Sequence, residues 1–180
     1  MLTIVIPETE QYDDVNNEFF TIKEQTLVLE HSLLSISKWE SKWHKPYLSK
    51  DNKTDEETRD YIRCMTVNNG VDPRAYYALT PYNLNQIYEY IKDTMTATTI
   101  TQPKGPKSRE IITSEIIYYW MTTFNIPFEP CQKWHINRLL SLIEVCSIKN
   151  QPSKKMSPKE LARRNTSLNA ERRARYKTRG

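Results

Sequence analysis

Glycine is scarce in this chain, and its scarcity restricts the folds that the chain can adopt. Only three of the 180 residues are glycine. Glycine supplies the positive-φ turns of tight hairpins and lets a backbone approach a phosphate closely. The composition therefore excludes a glycine-rich nucleotide-binding loop and argues against a barrel of many strands. The length fits one domain with appendages.

Short β-branched and aromatic runs at the N-terminus predict a small sheet. The run "LTIVI" (2–6) is typical of a strand and ends at Pro7. Residues 19–22 and 26–29 form two further apolar runs, which we expect to pair with each other as a hairpin. The polar, acidic segment 8–17 is expected to be a loop. Three short strands need another surface to pack against.

From residue 33 onward, the apolar spacing and the capping signals predict helices. Leu33, Ile36, Trp39 and Trp43 recur at helical spacing, and Pro46 ends this pattern. A short helical turn is expected at Asp72-Pro73. Further helices are predicted to start at Thr54 with Glu57, at Thr80-Pro81, at Ser108, at Glu129-Pro130 and at Ser157-Pro158 with Glu160.

These patterns together predict an α+β fold that is mainly α. A β element (1–30) and a bundle of about five helices (33–150) form the body. A basic tail (151–180), partly helical or disordered, follows because it has almost no large aliphatic residues. Apolar residues recur on one face of each of two predicted helices: Leu84, Ile87, Tyr88 and Ile91 in the first, and Ile112, Ile116, Tyr119, Trp120 and Phe124 in the second.

Charge is distributed unevenly along the chain. The net charge is +4, but residues 152–180 contain ten Lys or Arg and two acids, so the rest of the chain is slightly acidic. Such a tail can neutralise phosphates, bind an acidic protein surface or act only as a soluble appendage.

No apolar stretch approaches the length of a membrane span, and the N-terminus lacks the basic start of a signal peptide. We therefore expect a protein of the cytoplasm without membrane contact.

Histidine and cysteine do not form a recognised metal or catalytic pattern. Cys131 and His135 lie four residues apart, a spacing that permits two ligands on one helix, but no third or fourth ligand is matched to them. A Cys–His catalytic pair drawn from Cys131 or Cys64 with His135 is the other reading. We expect instead that Cys131 and Cys146 are core residues and that His135 bonds to a carbonyl or carboxylate. The chain is thus predicted to have no catalytic residue, metal or cofactor.

Several long strings of the chain resemble one protein family. They are "LEHSLLSISKWESKWHKPYL" (29–48), "KTDEETRDYIRCMT" (53–66), "IIYYWMTTFNIPFEPCQKWHINRLLSLIEVC" (116–146) and the terminal "LNAERRARYKTRG". The Trp-x-x-x-Trp-His and Trp-His-x-Asn-Arg-Leu-Leu segments within them are unusual. From about residue 26 onward the chain resembles the tail assembly chaperones of long-tailed, siphovirus-type bacteriophages.

The resemblance implies a mechanical function without catalytic residues. Proteins of this family are thought to coat the tape measure protein, a long helical protein that sets tail length, until the tail-tube protein polymerises around it. It implies host cytoplasm as the location, and self-association of the chain stays open. Aromatic side chains and tail arginines are the candidate partner contacts: Trp39, Trp43, Tyr118, Trp120, Trp134, Arg163, Arg164, Arg172 and Arg173.

Two alternatives remain open from the sequence. The basic tail could make this a nucleic-acid-binding accessory protein, although only Tyr176 is available there to stack on bases. A minor structural protein of the virion is the other alternative. For the aromatic candidates, packing in the core competes with partner contact, most strongly for Trp120 and Trp134.

Overall fold

Strands come first along the chain, and helices follow. The computed structural model describes residues 1–13, 17–99, 110–150 and 157–176. These residues confirm the predicted α+β, mainly helical class. The chain divides into two units, Met1–Ile148 and Lys149–Gly180. The elements are β1 (Leu2–Ile6), β2 (Thr9–Asp13), β3 (Glu18–Ile22), β4 (Gln25–Leu29), α1 (Leu33–Trp43), α2 (Asp55–Met65), a 3-10 turn (Pro73–Tyr77), α3 (Pro81–Lys92), α4 (Ser114–Thr123), α5 (Phe128–Cys131), α6 (Ile136–Asn150) and α7 (Pro158–Tyr176).

The four strands form a ribbon of two antiparallel ladders. β1 pairs with β4, and β2 pairs with β3. The predicted hairpin between 19–22 and 26–29 is therefore wrong, and so is the predicted loop at 8–17, which contains β2. Residues 14–16 of that segment lie outside the described residues. Two dipeptides interrupt the strand pairing, Pro7-Glu8 on one side and Lys23-Glu24 on the other. They lie opposite each other between the two ladders, so the first ladder ends at Ile6 and Gln25 and the second begins at Thr9 and Ile22.

One face of the first ladder belongs to the core. Ile4 and Ile6 of β1 lie on the same face as Leu27 and Leu29 of β4, and all four are buried. Residues after α2 cover the free edge of β4: the amide of Val67 donates to the carbonyl of Val28 at 2.9 Å. This contact satisfies backbone groups that an exposed strand edge would leave unpaired.

Local capping fixes the starts of α2 and α3, as predicted. The Thr54 hydroxyl accepts from the Glu57 amide at 3.2 Å, and the Glu57 carboxylate accepts from the Thr54 amide at 2.8 Å, so α2 begins at Asp55. The same reciprocal arrangement joins Thr80 to Asn83 at the start of α3. These interactions involve residues three apart, which is why the sequence is enough to place them.

The start of α4 depends on a residue from another helix. The buried Glu40 of α1 accepts from the amide of Ser114 at 2.8 Å and from the amide of Tyr47 at 2.8 Å. Glu40 therefore caps α4, whose own Thr113 makes no side-chain cap. The predicted start at Ser108 lies outside the described residues, and Glu110 to Thr113 are not helical.

The segment after α4 also differs from the prediction. A single helix from Glu129-Pro130 was expected, but α5 is one turn long and α6 begins only at Ile136. The amide of Ile136 donates to the carbonyl of His31 at 2.7 Å, which anchors the start of α6 beside the end of β4. Ile136, Leu139 and Ile143 then enter the core.

The second unit contains α7. Ser157 and Glu160 form the predicted capping box, with the Glu160 amide donating to the Ser157 hydroxyl at 3.2 Å. No residue of α7 is buried, and its basic side chains greatly outnumber its two acids. No helix in the described part of the chain is long and apolar enough to cross a membrane.

Candidate functional site

A groove between α2 and α3 is the candidate binding site of the body. α3 supplies one wall, and only part of its predicted apolar face is buried. The buried residues of α3 are Asn83, Ile87 and Tyr90. Leu84 and Tyr88, which share the predicted apolar face with Ile87 and Ile91, are 41 % and 55 % exposed. An apolar edge of α3 is therefore left open to solvent.

The opposite wall comes from α2 and from the segment before it. The cavity has a volume of about 270 Å³. Tyr61 and Ile62 of α2 form its buried floor together with Ile87 of α3. We call it the tyrosine groove, and its lining residues are Tyr47, Lys53, Thr58, Tyr61, Ile62, Leu84, Ile87, Tyr88 and Ile91.

A ring stack and a hydrogen bond connect two tyrosines and a histidine beneath the tyrosine groove. The rings of Tyr47 and Tyr61 stack with centroids 3.7 Å apart. The Tyr61 hydroxyl is hydrogen-bonded to Nδ1 of the buried His31. Burial raises the pKa of both phenols. Burial, and then the nearby His135, lower the pKa of His31 from 6.5 to about 3. All three groups are consequently neutral at neutral pH, and the floor carries no charge.

A lysine brings a positive charge to this uncharged floor. The Lys53 amino group lies 4.6 Å from the centroid of the Tyr47 ring and 5.9 Å from that of the Trp39 ring. Burial lowers the pKa of Lys53, although the charges of Glu57 and Asp51 partly oppose this effect. Among the described residues Lys53 makes no ion pair, and the neighbouring carboxylate of Glu57 is paired with Lys45.

Trp39 is a core residue, which corrects its proposed role as a contact. Its side chain is 1 % exposed, and its indole N–H donates to the carbonyl of Glu57 at 2.9 Å. Trp43 stacks on it and is half-buried. The Trp43 indole donates to Asp60 at 2.9 Å, and Lys42 also donates to that carboxylate at 2.6 Å. These bonds join α1 to α2.

Burial acts to raise the pKa of Asp60, the carboxylate that accepts a hydrogen bond from the indole of Trp43. The hydrogen bonds from Lys42 and Trp43 and the charges of Lys42 and Arg63 outweigh burial, so the pKa of Asp60 is lowered. Asp60 is thus ionised at neutral pH and binds both α1 donors. The pair of tryptophans therefore has a structural explanation that needs no partner.

The remaining aromatic candidates are half-buried and lie elsewhere. Tyr118 donates its hydroxyl to Gln132 at 3.1 Å and packs against Phe128. Trp120 packs against the core, and Trp134 carries Arg138 over its ring at 4.3 Å. Over the described residues, no ring contact joins them to Trp39 or Trp43. The candidates thus do not converge on one site, and their roles as contacts stay a prediction.

The four candidate arginines belong to α7 and form a separate surface. Arg163, Arg164, Arg172 and Arg173 are all exposed. With Lys159 and Arg175 they give α7 a positive charge along its length of 19 residues. A helix of this kind suits an extended, negatively charged partner.

His135 has no free nitrogen for a metal or for base catalysis. Its Nε2–H donates to the carbonyl of Tyr90 at 3.0 Å, and its Nδ1 accepts from the amide of Asn137 at 3.3 Å. This confirms the predicted bond to a carbonyl. Cys131 is buried, as expected, whereas Cys146 is only half-buried. Burial raises the pKa of the Cys64 thiol to about 11, so that thiol stays protonated. Within the described ranges, no group of three His, Cys, Asp or Glu could hold a metal ion.

The sequence reasoning missed the tyrosine groove, although its signal was present. The sequence places the α3 residues of the groove on one apolar face, but an apolar face alone does not show whether another element covers it. Tyr47 and Lys53 lie in a segment without periodicity, so no pattern connected them with α3.

Comparisons of the chain with protein-family models, with curated proteins and with solved structures find no match.

Proposed function

We propose that this chain is a non-enzymatic chaperone of bacteriophage tail assembly. It acts in the host cytoplasm, where it binds the tape measure protein and keeps it soluble until the tail-tube protein polymerises. The resemblance of residues 29–48, 53–66 and 116–146 to that family motivates the proposal. The single structural observation that supports it best is the tyrosine groove, which leaves apolar side chains open between two helices.

A groove of this kind can receive the apolar face of a helix. Amphipathic helices bind hydrophobic grooves through anchors at i, i+3, i+4 and i+7. Tyrosine suits such a surface because its ring is apolar while its hydroxyl tolerates water. A long helical client would otherwise expose its apolar residues and aggregate, and covering them would keep it in solution.

Co-expression with the tape measure protein of the same phage tests the proposal. The soluble fraction of the tape measure protein should rise when this chain is present, and the two should co-purify. If the tape measure protein is no more soluble with the chain than without it, the proposal is wrong. Mass spectrometry of purified particles adds a second test, because a chaperone should be absent from the virion and a minor structural protein should be present.

The exposed basic helix α7 favours one alternative function, nucleic-acid binding. A mobility-shift assay with duplex DNA at low and high salt would detect it, since phosphate contacts weaken steeply as salt rises. The comparison is between the full chain and a variant with Arg163, Arg164, Arg172 and Arg173 all changed to Gln. Salt-sensitive retention by the full chain that the variant lacks would favour this alternative over the chaperone.

A further inference from the structure

We infer that the tyrosine groove binds an amphipathic helix that carries a carboxylate beside its apolar anchors. The inference rests on the proposed function and adds to it the docking site and the chemistry of the client segment. Two features of the groove support it: the helical origin of its walls and the unpaired cations at its rim.

The origin of the walls favours a helix over other occupants. All lining residues come from α2, α3 and the segment between α1 and α2, so the groove has no strand edge to which an extended peptide could add. Leu84, Tyr88 and Ile91 form one ridge at helical spacing, and ridges of this spacing accept the side chains of another helix. Free small-molecule ligands usually occupy cavities of about 300–1,000 Å³. A cavity of about 270 Å³ fits a few side chains better.

The charge at the rim selects an acidic helix. Lys53 lies over Tyr47 at one wall, and Lys92 lies 3.8 Å from the ring centroid of Tyr88 at the other. Neither lysine makes an ion pair with a described residue. A carboxylate from the incoming helix would gain an ion pair at a partly desolvated site, whereas a lysine there would be repelled. The neutral floor adds no charge that would reverse this preference.

Fluorescence anisotropy with synthetic helical peptides tests the inference on the full chain. One peptide carries leucines at i, i+3, i+4 and i+7 with glutamates beside them. A second has lysines at the glutamate positions, and a third is proline-rich. We expect the glutamate peptide to bind about tenfold more tightly than the lysine peptide, from one attraction gained and one repulsion avoided. Equal binding of the two, or equally tight binding of the proline-rich peptide, would overturn the inference.

Three variants locate the binding site. Leu84→Glu places a charge in the groove and should weaken binding of the glutamate peptide by at least about tenfold. Ile148→Glu is the matched control, because Ile148 is 44 % exposed, lies outside the groove and should leave binding unchanged. Lys53→Glu should reverse the preference towards the lysine peptide, which mere loss of stability would not do. If Leu84→Glu and Ile148→Glu bind alike, or if Lys53→Glu keeps the original preference, the site is not this groove.

The results separate this inference from the proposed function. If the peptides do not bind but the chain still solubilises the tape measure protein, the client binds elsewhere and only the inference fails. If the glutamate peptide binds in the groove but the tape measure protein stays insoluble, the groove serves a different helical partner and the proposed function fails.

Discussion

Acidification should destabilise this protein through His31. The side chain is 2 % exposed, shares a hydrogen bond with the hydroxyl of Tyr61 and lies 5.0 Å from the ring of His135. Burial, followed by the neighbouring His135, lowers the pKa of His31 from 6.5 to about 3. His31 lies at the base of the tyrosine groove, beneath Tyr61. A proton taken up by its ring would create a charge that has no carboxylate among its described partners.

The size of the effect follows from the pKa of His31 in the folded state and in the unfolded state. Between pH 6.5 and about 3, the unfolded chain binds a proton at residue 31 that the folded chain does not. The free energy of unfolding therefore falls as pH falls through this range. One pKa unit corresponds to ~1.36 kcal/mol, so His31 alone removes about 2 kcal/mol by pH 5. Burial also lowers the pKa of His135, which acts in the same direction.

Urea unfolding followed by tryptophan fluorescence measures this loss. The free energy of unfolding is measured for the wild type and for His31→Gln at pH 7 and at pH 5. The loss between the two pH values is then compared between the two proteins. This comparison cancels the cost of the substitution itself and the contribution of groups common to both proteins. We expect the wild type to lose about 2 kcal/mol more than the variant over this interval. Equal losses would refute the reasoning, and so would histidine NMR that finds the His31 ring protonated in the folded protein at pH 5.

Three further predictions concern the body. Trp39→Ala should lower the free energy of unfolding in urea by about 3–5 kcal/mol, because it opens a cavity and removes the hydrogen bond to the carbonyl of Glu57. A smaller loss than that caused by Trp120→Ala, at a half-buried position, would contradict the burial of Trp39. Gly70→Ala should cost about 1 kcal/mol and lower Tm, because φ is +80° there while an added Cβ would meet nothing within 4 Å; an unchanged Tm would show that the backbone relaxes. Thr54→Ala should cost about 1 kcal/mol by removing the cap of α2, as measured by thermal denaturation. Thr58→Ala on the same helix is its control, and equal effects would argue against the cap.

Capping was the part of the fold that could be predicted most securely. Thr54 with Glu57, Thr80-Pro81 and Ser157 with Glu160 each mark the start of a helix in the structure. A cap is formed between residues three apart, so its geometry depends little on the rest of the chain. The start of α4 is the instructive exception, because its cap is the carboxylate of Glu40, far away in sequence.

Strand pairing could not be predicted in the same way. The apolar runs indicate strands, but a strand does not specify its partner. The adjacency of the runs favours pairing 19–22 with 26–29, whereas the native ladders join β1 to β4 and β2 to β3. The native choice places Ile4, Ile6, Leu27 and Leu29 on one buried face, and that benefit exists only once the helices cover them.

The amino-acid sequence by itself determined the class of the fold, the starts of α2, α3 and α7 and the basic character of the C-terminal segment, because each depends on composition or on neighbours within one helical turn. The tertiary structure alone decided which face of α3 is buried, that Trp39 is a core residue and that Tyr47, Tyr61 and His31 meet beneath the groove. The reason is physical: an apolar face is buried only where another element packs against it. On α3 that packing covers Asn83, Ile87 and Tyr90, and it leaves Leu84 and Tyr88 at the edge of an open groove.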